Sequence, residues 1–302
     1  MAFMLSTLLV LPVHTTLEAP AGVRTIRRPD LWSDSRWRSF LRLLMFGFRV
    51  VGASLQVRRV VIVTGGVELF LLRPLLIGRK VVAVDWLMPR SRRLDRWRLL
   101  RSTDFIVVRK SDALTLQRRF GVPSTCIRFL PFPAPAAAPD RGTDGEYFYA
   151  AGWAHRDWPL LLEAQRITGY PTVLAGEVQD PGQSGLRCVG PQPRQQGTEF
   201  MRQALAVVLP LVDTELPSGP LVLLDAMAHA KAVIVSDVGG SRDYVVDGVT
   251  ALLVPAHDLA ALTEAMERLV SDTALRHNLG VAAAASVKEW TPQEFWANVL
   301  AV

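Results

Sequence analysis

Strand-length apolar runs alternate with helix-length amphipathic segments along almost all of this chain, and that alternation limits the folds open to it. In the first half, "RRVVIVTGG" (58–66), "RKVVAVDWL" (79–87), "DFIVVRK" (104–110) and "STCIRFLPF" (124–132) are continuous and β-branched. Turn residues or charges bound each of them, which is the pattern of buried strands. Helix-length stretches at 67–77, 90–102 and 111–120 lie between them, the last closed by Gly121 and Pro123. The second half repeats the scheme. Segments 146–153, 171–177, 186–190, 205–212, 232–237 and 251–258 predict strands. Segments 157–168, 198–204, 219–230, 241–247 and 258–272 predict helices, followed by a helical tail. Such alternation builds right-handed crossovers and parallel sheets.

A chain of 302 residues exceeds one ordinary core, so two α/β domains are expected. "PFPAPAAAPDRGTDG" (131–145) has no apolar periodicity and reads as the linker. The expected division is 1–135 and 136–302, two Rossmann-like domains with the first one short. The closing helical tail is expected to pack back on the first domain. Domains of this kind face each other across a cleft at the carboxyl ends of their sheets, where open α/β sheets bind ligands.

The formal net charge of +6 hides a polarity. Residues 1–136 hold 23 Lys and Arg against 8 Asp and Glu; the remainder holds 11 against 20. The basic half suits a polyanion or an anionic membrane, or is an ordinary solvated surface. "SRWRSFLRLLMFGFRVV" (35–51) and "RSRRLDRWRLLR" (90–101) combine Arg with Trp, Phe and Leu at helical spacing. They read either as amphipathic helices lying on an anionic membrane or as core packing. No nucleic-acid-binding motif accompanies the charge.

Cys126 and Cys188 form no framework and have no metal-ligand neighbours, and the five histidines show no paired spacing. No metal site is expected, and the thiols fit a reducing compartment. The apolar start lacks the basic region and cleavage site of a signal peptide. No uncharged apolar run reaches the roughly 18 residues that cross a bilayer. The expected location is the cytoplasm, peripheral on the inner face of the cell membrane.

Residues 218–240, "SGPLVLLDAMAHAKAVIVSDVGG", carry a lone acid, Asp225, within their helix-length apolar part, and a strand ending in Asp237 then leads to two glycines. On this window alone Asp225 either serves the helix dipole or accepts hydroxyls from a ligand. The longer stretch 218–270, which continues through "DGVTALLVP", follows the pattern G-x-P-V-L-E-A-M-A-x-G-x-P-V-I-A-S-x-x-G-G. In this it resembles the nucleotide-sugar half of family-4 retaining glycosyltransferases, which have the GT-B fold. The resemblance extends from about residue 146 to the end and is weaker over about 58–135.

What the resemblance implies is specific. Asp225 takes the place of the motif's second glutamate, which holds the ribose of the nucleotide. The first glutamate's position is Pro217, and Glu215, two residues earlier, is the candidate substitute. Ser218, Gly219, Pro220 and Leu221 open the helix against the donor, and Gly239 and Gly240 match the family's glycine pair, whose N–H groups meet a phosphate or sugar. Asp243 takes the place of a family glutamate. In "AAGWAHRDWPLLLEA" (150–164), Gly152 ends a strand, and Arg156 supplies the cation for the leaving diphosphate. Trp153 stands where the family carries a second Arg. Backbone groups of Val189 and Gly190 abut the nucleobase, or simply end a strand. Gly65 and Gly66 make an anion nest or a tight turn.

The activity so implied is transfer of a sugar from a nucleoside diphosphate sugar to an acceptor, with retention and with neither metal nor cofactor. A membrane-associated or lipid-linked glycan is the expected acceptor. Pro217 leaves open a second possibility, a catalytically inactive GT-B-like protein that binds a nucleotide sugar or a partner.

Overall fold

The computed structural model describes residues 7–12, 17–28, 36–63, 68–86, 98–136, 145–152, 154–214 and 220–302, with backbone alone at 36–40, 68, 98 and 99. The chain divides into two units. The first is Met1–Pro131 with Pro292–Val302, and the second is Phe132–Thr291.

The first unit is built on β1 (Thr7–Leu11), β2 (Arg24–Arg27), β3 (Arg59–Val63), β4 (Lys80–Val84), β5 (Asp104–Val107) and β6 (Ile127–Phe129). They form one parallel sheet in the order β2-β1-β3-β4-β5-β6. Helices α1 (Arg36–Ser54), α2 (Glu68–Leu72, prolonged by a 3-10 turn over Arg73–Leu76) and α3 (Lys110–Phe120) make the crossovers. Because both faces of the central strands are covered, they read as unbroken apolar runs such as "RVVIV" and "KVVAV". The closing helix, Pro292–Ala301, belongs to this unit. Its Trp296 Nε1 donates to the Glu18 carbonyl at 2.7 Å, and the Arg59 guanidinium reaches the Leu300 carbonyl.

Strands β1 and β2 have no counterpart in the sequence reading. β1 lies in the apolar start that periodicity left unassigned, and β2, "RTIR", is an edge strand with only Ile26 buried. Of the helix expected over 90–102, a 3-10 turn at Arg98–Ser102 is seen, and 90–97 lie outside the described residues.

The second unit holds β7 (Phe148–Ala151), α4 (Trp158–Thr168), β8 (Thr172–Ala175), β9 (Leu186–Cys188), α5 (Arg194–Arg202) and β10 (Ala206–Leu209). It continues with α6 (Leu221–Ala228), β11 (Val233–Asp237), β12 (Leu252–Pro255), α7 (Leu259–Ser271) and α8 (Thr273–Val287). The sheet is again parallel, in the order β12-β11-β10-β7-β8-β9. The chain therefore winds outward in both directions from the β7–β10 pair. That switch point leaves a crevice at the carboxyl ends of two adjacent strands.

Two boundaries depart from the sequence. α5 starts at Arg194 rather than 198, because Pro193 caps a first turn that has no apolar residue to announce it. The expected helix at 241–247 is a single 3-10 turn, Ser241–Asp243. The segment read as linker is structured at its start. Phe132 N–H donates to Tyr244 Oη at 3.2 Å, and Ala134 N–H to the Trp290 carbonyl at 2.7 Å, so these residues already pack in the second unit.

Candidate active site

The loops that follow β7 and β10 meet at the switch point. Arg156 and Leu211 form an antiparallel bridge. Asp157 N–H donates to the Pro210 carbonyl at 2.8 Å, and Val212 N–H to the His155 carbonyl at 3.0 Å. Ser236 ties the next strand to the same edge, its hydroxyl accepting from Leu211 N–H at 2.9 Å and its carbonyl accepting from Ser241 Oγ at 2.8 Å. The carboxyl edge is thus held by short loops rather than left to side chains alone.

Arg156 folds back under this rim. Nε donates to the Ala151 carbonyl and Nη1 to the Ala154 carbonyl, both at 2.9 Å. Burial pulls the guanidinium down to about 10, which still leaves it charged at neutral pH. Gly152 lies against it with φ 122°, and a Cβ there would sit 2.5 Å from Nη2. Glycine is required twice over, by the backbone angle and by the guanidinium.

Asp225 lies in the second turn of α6, whose other residues are almost all apolar and buried. Its carboxylate is 15% exposed and accepts from Arg194 Nη2 at 2.8 Å. Arg194 is the first residue of α5. One turn later Gly197 lets that helix close on β7, since a Cβ there would be 3.2 Å from Tyr149 Oη. Tyr149 also stacks on Phe200 of α5, with centroids 6.2 Å apart. Burial first, then Tyr147 and Asp225, pushes the Tyr149 phenol upward, so it stays neutral beneath the acid. Sequence reading passed over Arg194 because no motif marks it. The signal available was its place one residue after a helix-starting proline.

The other expected residues that are described lie on loops and helix starts of the same unit. Pro220 caps α6 and Leu221 begins it, exposed. Gly239 and Gly240 turn the chain after β11, with Gly240 at φ 122°, and Arg242 Nη2 reaches Asp237 Oδ2 at 2.5 Å. Asp243 closes the 3-10 turn that follows. Val189 and Gly190 follow β9, and Gly190 is left-handed at φ 67°. Val189 N–H donates to the Leu174 carbonyl at 3.0 Å, and the Gln192 amide donates to the Val189 carbonyl. Both backbone groups of Val189 therefore already have partners inside the protein. A pocket of about 540 Å³ opens beside Val189, lined also by Arg187, Gln192, Gln196 and Phe200. Gly65, Gly66, Trp153, Glu215, Pro217, Ser218 and Gly219 lie outside the described residues.

The first unit holds a separate charged group that no motif announced. Asp85 follows β4 with φ 48°, a left-handed angle uncommon for a residue with a side chain. Its N–H donates to the Ile106 carbonyl at 2.9 Å. Burial pushes its carboxyl up to about 6, against the pull of Arg109 and with the repulsion of Asp112. Arg109 and Asp112 form a buried ion pair, with Nη2 to Oδ1 at 2.6 Å and Nε to Oδ2 at 3.1 Å.

Comparison with known proteins agrees with this geometry. Residues 148–272 match the family described as "Glycosyl transferases group 1". The chain is 36% identical over 97 residues to D-inositol 3-phosphate glycosyltransferase of Kribbella flavida. That match covers 32% of this chain and 22% of the relative, so the chain spans less than a quarter of that protein's length. In structure it is similar to a glycosyltransferase of Rickettsia africae, with a TM-score of 0.71, 11% identity and coverage of 97% of each chain. It is also similar to Anabaena Alr3699/HepE in complex with UDP-glucose, with a TM-score of 0.73, 11% identity, and coverage of 97% of this chain and 98% of that one. At such identities the likeness is one of fold, and that fold is GT-B. In sequence, residues 148–272 are thus similar to the group 1 glycosyl transferases, and nearly the whole chain shares the GT-B fold.

Proposed function

We propose that the chain is a retaining glycosyltransferase that moves a sugar from a nucleoside diphosphate sugar to an acceptor, without metal or cofactor. One observation carries the proposal. Asp225, in the segment that matches the family, is held by Arg194 at the carboxyl edge of a doubly wound sheet. A carboxylate so fixed accepts the paired hydroxyls of a ribose.

In this reading the diphosphate lies toward the β7–β10 crevice, and the positive charge of Arg156, held under the rim by the Ala151 and Ala154 carbonyls, stabilises the negative charge that grows as the bond to the sugar breaks. The acceptor hydroxyl attacks the anomeric carbon on the face the diphosphate leaves. The carbon–oxygen bond to the phosphate breaks as the new glycosidic bond forms, and the departing phosphate oxygen takes the acceptor's proton. The acceptor is a membrane-associated or lipid-linked glycan, and the chain works as a peripheral protein on the inner face of the cell membrane. Unequal charge supports this: 23 cationic against 8 anionic residues in the first 136.

The experiment is release of nucleoside diphosphate from a panel of UDP-, GDP- and ADP-sugars, with extracted lipids as acceptor. Acceptor-dependent release of one nucleotide supports the reading. Tight binding of a nucleotide sugar with no turnover on any acceptor would favour the inactive, sugar-binding alternative that Pro217 suggests.

A further inference from the structure

Helix α1 buries only part of its circumference. Phe46, Val50 and Ala53, at helical spacing, enter the core of the first unit. Leu41, Leu44, Met45 and Phe48, spaced i, i+3, i+4, i+7, form a second apolar stripe that faces water, with Phe48 70% exposed. Between the two stripes run the exposed Arg42 and Arg49, seven residues apart. On the other flank, Leu43, Gly47 and Val51 border a groove of about 290 Å³ closed by Leu71 and Leu75 from α2 and its 3-10 extension. Leu75 and Ile77 continue the apolar surface, 59% and 79% exposed.

A contiguous apolar surface of this kind marks a docking site rather than ordinary exposure. Two features choose the occupant. The stripe is edged by arginines, and it sits in the strongly basic part of the chain. A second copy would bring like charge against like charge, whereas an anionic bilayer offers hydrocarbon behind a negative surface. Among the described residues no helix is long and apolar enough to cross a membrane. The geometry suits a helix lying in the plane of the interface, its apolar face about 5–10 Å deep.

We infer that the α1–α2 face is the membrane-docking surface of this protein, with Phe48 and Leu75 entering the acyl region, Arg42 and Arg49 meeting anionic headgroups, and an acyl chain filling the groove. This rests on the proposed function only for the place of the acceptor. The sequence offered residues 35–51 as one of two candidate membrane helices; the structure adds which of its faces is exposed and the groove it shares with α2.

The test is co-sedimentation of the full chain with vesicles of phosphatidylcholine alone, or of phosphatidylcholine and phosphatidylglycerol in equal parts. The chain is expected to bind the anionic vesicles at least about tenfold more tightly. Phe48→Glu and Leu75→Glu, at exposed positions that leave the melting temperature unchanged, should each cut that binding by about tenfold. The double variant Arg42→Gln, Arg49→Gln should cut it by about thirtyfold, at about fivefold for each arginine near the surface. Equal binding to neutral vesicles, binding unaffected by these variants, or no binding at all would overturn the inference. A dimer in solution that Phe48→Glu dissociates would assign the face to a second copy instead. Affinity for UDP, GDP and ADP measured on the same samples keeps the two readings apart. Binding of none of the three with vesicle binding intact would count against the donor site alone.

Discussion

Arg194 Nη2 lies 2.8 Å from Asp225 Oδ1, joining the first residue of α5 to the second turn of α6. The pair is asymmetric, with the arginine side chain 52% exposed and the acid 15%. An exposed ion pair adds little to stability, about 0–1 kcal/mol. Its use is to fix the direction of a carboxylate that can still accept from a ligand.

Arg194 is therefore expected to position the acid rather than to bind donor itself. Arg194→Ala should weaken binding of whichever nucleoside diphosphate the chain takes by about 0.5–1 kcal/mol, and the same change should do almost nothing once Asp225 is already Ala. Isothermal calorimetry on the two single variants and the double variant measures this coupling. Equal losses in both backgrounds, or tighter binding on losing Arg194, would show that the arginine does not act through Asp225.

Gly152 and Arg156 are expected to behave as one element. Two carbonyls pin the guanidinium, so a methyl group placed 2.5 Å from Nη2 must displace it or distort the loop. Arg156→Ala should lower kcat by about a hundredfold or more and change donor KM less, because the charge it meets grows in the transition state. Gly152→Ala should reproduce that profile, and combining the two should add little. A normal kcat with a raised KM in Arg156→Ala would make the residue a ground-state donor contact only.

Asp85 gives a pH signature independent of catalysis. Its folded carboxyl titrates at about 6, above the ordinary value of 3.8, so the folded chain binds the extra proton. Stability on this group's account is greatest below about pH 4, falls as pH rises through about 6, and then stays low, by up to about 3 kcal/mol. Asp85→Asn keeps the shape and removes the titration. Its melting temperature relative to the native chain should be higher at about pH 7.5 than at about pH 4.5. A difference independent of pH would place the carboxyl at its ordinary value. Arg109 and Asp112, which face it, remain in both proteins.

Much of this was legible in the chain. Unbroken β-branched runs such as "VVIV" and "AVIVSD" exist because both sheet faces are covered, and every run so read is a strand. Asp225 stood out because it is the lone acid in an apolar helix. The remainder depended on contacts that no local pattern carries. β2 has one buried residue in four, so its alternation is too short to register. Arg194 and Asp225 lie 31 residues apart and meet only because Gly197 seats α5 on Tyr149. Asp85 looks like any strand-ending acid until its left-handed angle and the buried Arg109 pair are seen. The stretch 35–51 announced an amphipathic helix but not that it carries two apolar faces, one committed to the core and one to water.

The central claim is that Asp225 holds the ribose of a nucleoside diphosphate, and calorimetry with UDP, GDP and ADP on the native chain and on Asp225→Ala tests it most directly. One of the three nucleotides should bind the native chain, and the variant, folded by its circular dichroism, should bind it more weakly by about 1–3 kcal/mol, the loss of charge-assisted hydrogen bonds to the ribose. Unchanged affinity in Asp225→Ala, or no binding of any of the three by the native chain, would contradict it.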